Sequence, residues 1–161
     1  MNKQIYIGVD NGLAGALVAL HDNDIDTQVM PVFQSTKSKR EYDIHAIIEF
    51  FKKYPTATVI LEKAHAMPKL GTVQAFNFGK GFGIMIGIVS ALQMKYHIVH
   101  AKTWQKEMFR DLNYEDTKQA SAIVAQRLFP DTNFKATERS KKIHDGITDA
   151  ALLAEYGKRC L

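Results

Sequence analysis

The sequence has little cysteine: Cys160 is the only one in 161 residues. A lone thiol cannot close an internal disulfide, and there is no Cys-x-x-Cys pair for zinc or redox work. A reducing, intracellular compartment is therefore expected. No signal peptide is read either, because Lys3 and Gln4 open the chain and the apolar run after them breaks at Asp10. Long hydrophobic runs are absent. The most apolar stretch, residues 76–92, contains Lys80 and several glycines, which suits a buried helix better than a membrane span. No internal repeat or low-complexity segment divides the chain, so one domain over residues 1–161 is expected. The excess of positive charge is slight, +4 overall, and fits a polyanion partner no better than an ordinary basic surface.

What the chain does have is a hydrophobic content of 46%, enough for a real core and too much for a disordered segment. Residues 4–10 are apolar and β-branched and predict a first strand, closed by the turn Asn11-Gly12. Residues 14–20 and 25–33 predict two further strands of an antiparallel meander. Residues 34–41 are polar and basic and predict an exposed loop. From Asp43, Ile44, Ile47, Ile48 and Phe51 recur at three- and four-residue steps, so a helix is expected up to Pro55. A fourth strand is expected over 57–62, a long helix over 73–94 and a fifth strand over 96–100. Helices are then expected over 103–109, 115–128 and 144–158. This order predicts an α/β fold with a mixed five-stranded sheet and helices on both faces.

Two acids end predicted strands: Asp10 the first and Glu62 the fourth. Ligands of open α/β sheets gather beyond the carboxyl ends of the strands. Two more acids, Asp145 and Asp149, are four residues apart at the start of the last helix, a spacing that puts both on one face. Like charges so placed repel unless a cation lies between them. Oxygen-only ligation by several carboxylates suits Mg²⁺ or Mn²⁺. Two such ions about 3.5–4 Å apart can support phosphodiester hydrolysis. Each acid also has a plain alternative: Asp145 as a helix cap, Asp149 as a solvated side chain, Asp10 as the first residue of a turn. Their joint occurrence at two strand ends and one helix start favours the metal reading.

Three segments, IYIGVDNGLAGALVAL around Asp10, VILEKAHAMP around Glu62 and HDGITDAALLAEYGK around Asp149, together resemble RuvC-type Holliday junction resolvases, in particular the phage and organellar branch. The resemblance spans nearly the whole chain. It implies an RNase H-like fold, a homodimer, and paired nicks at a four-way DNA junction that leave 5′-phosphate and 3′-hydroxyl ends. Asp10, Glu62 and Asp149 match the acids of that family. The remaining ligand is placed at Asp145, with His144 as the rival, because the position three before Asp149 is Gly146. Lys118 matches a family lysine that faces the scissile phosphate. The implied cofactor is Mg²⁺, two ions per site, with Mn²⁺ as a substitute.

Basic residues cluster at Lys37, Lys39 and Arg40, at Lys63 and Lys69 after Glu62, and at Lys135, Arg139, Lys141 and Lys142 just before the last helix. Such residues add salt-dependent, sequence-independent affinity for DNA. Lys69, Lys80, Lys118, Arg139, Lys141 and Lys142 are assigned to DNA contact, and loop 37–40 to solvent. Phe76 and Phe78 open the long helix. Core packing is the first expectation for both, with Phe76 assigned as the one that meets the junction. Gly79, Gly83 and Gly87 recur every four residues, which predicts a close approach by the sheet or by a second subunit. Trp104 is expected to pack a short helix on the sheet. An actin-like ATPase needs a larger chain. A nuclease acting on RNA–DNA hybrids or other branched DNA, or a non-catalytic junction-binding module, are the alternative readings.

Overall fold

The computed structural model describes residues 4–34, 40–64 and 71–161. The first strand, β1 (Ile5–Asp10), pairs antiparallel with β2 (Ala16–His21), and β2 pairs antiparallel with β3 (Asp24–Val29). The meander stops there. Met30 N bonds Gly15 O, and Pro31, which has no N–H to give a ladder, turns the chain away. The expected strand over 25–33 is thus two strands. Its second part, β4 (Val32–Gln34), forms a separate two-stranded ribbon with β5 (Arg40–Tyr42). The expected loop over 34–41 is corrected accordingly at both ends, while Lys37 and Lys39 lie outside the described residues.

Helix α1 (Ile44–Lys52) is capped by the Asp43 carboxylate, which accepts from Ala46 N at 3.1 Å. Strand β6 (Thr58–Glu62), helix α2 (Thr72–Ala91) and strand β7 (Lys95–Val99) follow. Helices α3 (Ala101–Met108), α4 (Thr117–Leu128) and α5 (Asp145–Cys160) complete the chain. The sheet order is β3-β2-β1-β6-β7, with β1, β6 and β7 parallel.

Strand alternation sorts the apolar residues onto two faces. Ile7, Val9, Leu17, Ala19, Val59 and Leu61 face the core shared with α1 and α2. Ala16, Val18, Leu20 and Ile60 face the core shared with α3, α4 and α5. On this second face β1 offers Gly8, and α5 uses the space. A Cβ on Gly8 would fall onto the Ala150 carbonyl oxygen and lie 2.6 Å from Ala154 N. Small residues at Gly8, Ala150 and Ala154 therefore let α5 lie directly on β1. Among the described residues no helix is long and apolar enough to cross a membrane.

Candidate active site

The carboxyl ends of β1 and β6 define the site. Their parallel register runs from Tyr6 beside Thr58 to Val9 beside Leu61, and the next step places Asp10 beside Glu62. Gly8 and Ile60, two residues before each acid, face α5, so both acids lie on the α5 side of the sheet. The start of α5 is pressed onto the turn after β1. A Cβ on Gly146 would lie 2.7 Å from Gly15 Cα and 2.9 Å from Ala14 O. This contact brings the first turns of α5, with Asp145 and Asp149, over Asp10.

Each of the four carboxylates has a donor from a different position in the fold. Asp10 Oδ1 accepts from Gly12 N at 3.3 Å. Glu62 Oε2 accepts from the Trp104 indole Nε1 at 2.7 Å, across 42 residues of sequence. Asp149 is hydrogen-bonded to Ser121 of α4. Asp145 Oδ2 pairs with Lys118 Nζ at 2.9 Å. Lys118 and Ser121 are one turn apart on α4, and they serve two acids one turn apart on α5.

The electrostatics follow from this crowding. Burial, then the Asp149 charge, push the Asp10 carboxyl up to about 7; the Gly12 N–H opposes this, and Glu62 and Asp145 add to it. Burial likewise pushes Asp149 up to about 6, with Glu62 and Asp145 raising it and the Ser121 hydroxyl and Lys118 lowering it. Lys118 is raised by its hydrogen bond and charge contact with Asp145. The Lys118 and Asp145 side chains are 69% and 51% exposed, so their pair adds little to stability. It fixes a cation at the rim of an acidic site.

Among the described residues no three His, Cys, Asp or Glu side chains are already drawn together as a metal-holding group. Asp145 Oδ2 is paired with Lys118, and Glu62 Oε2 with Trp104. His144, the rival ligand, is the N-cap of α5: its Nδ1 accepts from Ile147 N at 3.3 Å, a role that uses one ring nitrogen, and burial lowers its pKa. Asp145 is therefore not the cap, but it lies in the first turn of α5, where its charge complements the helix dipole.

The DNA-contact assignments separate. Lys69 lies outside the described residues. Phe76 is 69% exposed, so core packing does not apply to it, while Phe78 is half-buried. Lys80 is ion-paired with Glu41 of β5. Arg139, Lys141 and Lys142 are exposed on a loop whose stem, the Lys135–Ile143 bridge and the His144 N to Phe134 O bond, leads straight into α5. Of the two approaches expected at Gly79, Gly83 and Gly87, that of the sheet is corrected. A Cβ at any of them would meet nothing within 4 Å, so the sheet does not approach that face. The glycine of α2 that is tightly packed is Gly81, against Tyr42 and the Asn11 carbonyl.

Two residues of the site were not foreseen from sequence as partners of its acids. Trp104 packs fully buried as expected, but its N–H also reaches Glu62. Ser121 carried one usable signal, its place three residues after Lys118 on the same helical face.

No protein-family model matches the chain, and comparison with curated proteins finds no match. Among solved structures, the chain is similar to Thermus thermophilus RuvC in complex with a Holliday junction substrate, at 14% identity over 95% of this chain and 92% of that one, with a TM-score of 0.65. It is also similar to a further Thermus thermophilus RuvC structure, at 12% identity over 97% of this chain and 96% of that one, with a TM-score of 0.59. At this identity the likeness establishes the fold: a RuvC-type, RNase H-like α/β domain.

Proposed function

We propose that this chain, built on the RuvC-type fold, is a structure-selective endonuclease that nicks four-way or branched DNA by metal-assisted phosphodiester hydrolysis. The observation that carries this reading is the convergence of Asp10 and Asp149, both part-buried and both pushed well above the usual carboxylate range by burial and by neighbouring acids. At neutral pH such an arrangement costs the folded monomer stability. Four oxygen-only donors and no sulfur fit a hard divalent ion, Mg²⁺ or Mn²⁺, held by Asp10, Glu62, Asp145 and Asp149. When bound, such ions activate water and offset the charge that develops on phosphate oxygens.

The other parts of the work fall to the chain's own residues. Lys118, exposed at the rim and paired with Asp145, supplies a cation for the scissile phosphate. Arg139, Lys141 and Lys142, exposed beside the start of α5, hold flanking phosphates. Phe76 presents an exposed ring near the start of α2, where it can support an unstacked base at a branch point. The open glycine face of α2 suits a second copy of the chain, and a two-fold dimer would set two sites across one junction.

The test is cleavage of a synthetic mobile four-way junction beside a fork and an RNA–DNA hybrid, in Mg²⁺ and in chelator. Paired nicks with 5′-phosphate ends are expected on the junction in Mg²⁺, and none in chelator. Asp10→Asn should abolish nicking and keep junction binding. Near-native cleavage by that variant would refute the role of Asp10, and junction binding with no metal-dependent nick would leave only a binding module.

A further inference from the structure

Trp104 is the only tryptophan in the chain. It is fully buried, in the core under α5, with its ring edge-on to Phe109 at 5.7 Å. A buried indole N–H needs an acceptor. In an ordinary core a main-chain carbonyl would serve. Here the acceptor is the Glu62 carboxylate, at 2.7 Å. Chain topology delivers this contact: α3 starts directly after β7, β7 pairs with β6, and the first turn of α3 therefore lies against the end of β6. Glu62 in turn acts by its charge on both Asp10 and Asp149. The indole thus holds the one site acid that comes from β6.

We infer that Trp104 is a positioning residue of the carboxylate site: its N–H fixes the Glu62 carboxylate at the end of β6, within electrostatic reach of Asp10 and Asp149, and thereby sets the site's affinity for a divalent ion. This rests on the metal-dependent reading above. Groups that orient ligands in this way govern metal affinity by about 10–100-fold.

A single tryptophan makes a clean experiment possible. Biosynthetic replacement by 3-benzothienylalanine keeps the bicyclic shape and removes only the N–H. Binding of Mg²⁺ and of Mn²⁺ is measured by calorimetry without DNA, with thermal melting as the control for folding and junction nicking as a separate assay. The substituted protein should melt within a few degrees of the native one. Its dissociation constant for either ion should rise by about 10–100-fold. The Mg²⁺ needed for half-maximal nicking should rise in parallel, with KM for the junction unchanged. In the unsubstituted protein, Mg²⁺ should change the Trp104 emission, and Glu62→Gln should remove that response.

An unchanged ion isotherm in the folded benzothienyl protein overturns the inference. Should that protein not fold, a native emission spectrum that ignores Mg²⁺ at saturating concentration overturns it instead. If the native protein binds neither ion and nicks no junction, the nuclease reading itself fails. If the native protein does both and the substituted protein matches it, only the role of Trp104 fails.

Discussion

Helices α5 and α2 both lie against the sheet and both are rich in small residues, yet they use them in opposite ways. Along α5 every residue from 146 to 157 is buried except Asp149 and Tyr156. Its alanines, with Gly8 and Gly15 opposite, allow backbone to meet backbone. In α2 only Gly81, Met85, Ile88 and Val89 are buried, and Gly79, Gly83 and Gly87 look into open space. The same sign in sequence, small residues at helical spacing, marks a finished contact in one helix and an uncovered face in the other. The finished contact positions the acids. The uncovered face has Phe76 near its start and leaves room for a partner.

One substitution made at two glycines sharpens this contrast. Gly8→Ala puts a methyl group into the Ala150 carbonyl, which neither backbone can avoid. It should destabilise the fold by about 3 kcal/mol or more, as read from urea midpoints, because overpacking against main chain cannot relax. A near-native midpoint would break the account of how α5 is seated.

The acids over which α5 is seated predict a pH dependence of opposite sign to the usual one for carboxylates. In the folded protein Asp10 and Asp149 titrate at about 7 and about 6, against 3.8 for the free side chain. Between these values the folded state keeps protons that the unfolded chain has released. Their contribution to stability is therefore complete below the unfolded value and is lost as the pH rises through about 6 and then about 7. Urea midpoints in chelator should fall over that window, Asp10→Asn should flatten its upper part, and Mg²⁺ should restore stability at the alkaline end.

On α2 the effects are smaller and lie in binding. Phe76 is mostly exposed, so Phe76→Ala should leave stability within about 0.5 kcal/mol. It should weaken junction binding by about 1–3 kcal/mol if the ring stacks on a base, as measured by titration at fixed salt. Smallest is Gly83→Ala, the counterpart of Gly8→Ala. With nothing near its Cβ, it should stabilise the monomer by about 0.5–1 kcal/mol. At concentrations where a dimer closes on this face, sedimentation should show weaker association for the same variant.

Much of this was legible in the sequence. The element order, the parallel strands bearing Asp10 and Glu62, and the acids at the start of the last helix all follow from local pattern, because strand and helix periods and strand-end acids are local properties. The ribbon of β4 and β5 was not legible, since three-residue strands are too short to show a period and the bend at Pro31 reads as part of one longer strand. The donors to the acids were equally hidden. Nothing near Glu62 in the chain announces Trp104, and nothing near Asp149 announces Ser121.

By itself, then, the sequence determined most of the elements, the places of the four acids along them, and that a lone cysteine leaves no internal disulfide to hold them. Only the tertiary structure decided which glycines are contacts and which are open, which side chain caps α5, and which donor each carboxylate receives. The reason is physical. Secondary structure is written in spacings of two to four residues, whereas a hydrogen bond across 42 residues or a backbone resting on a backbone exists only once the sheet and helices have packed.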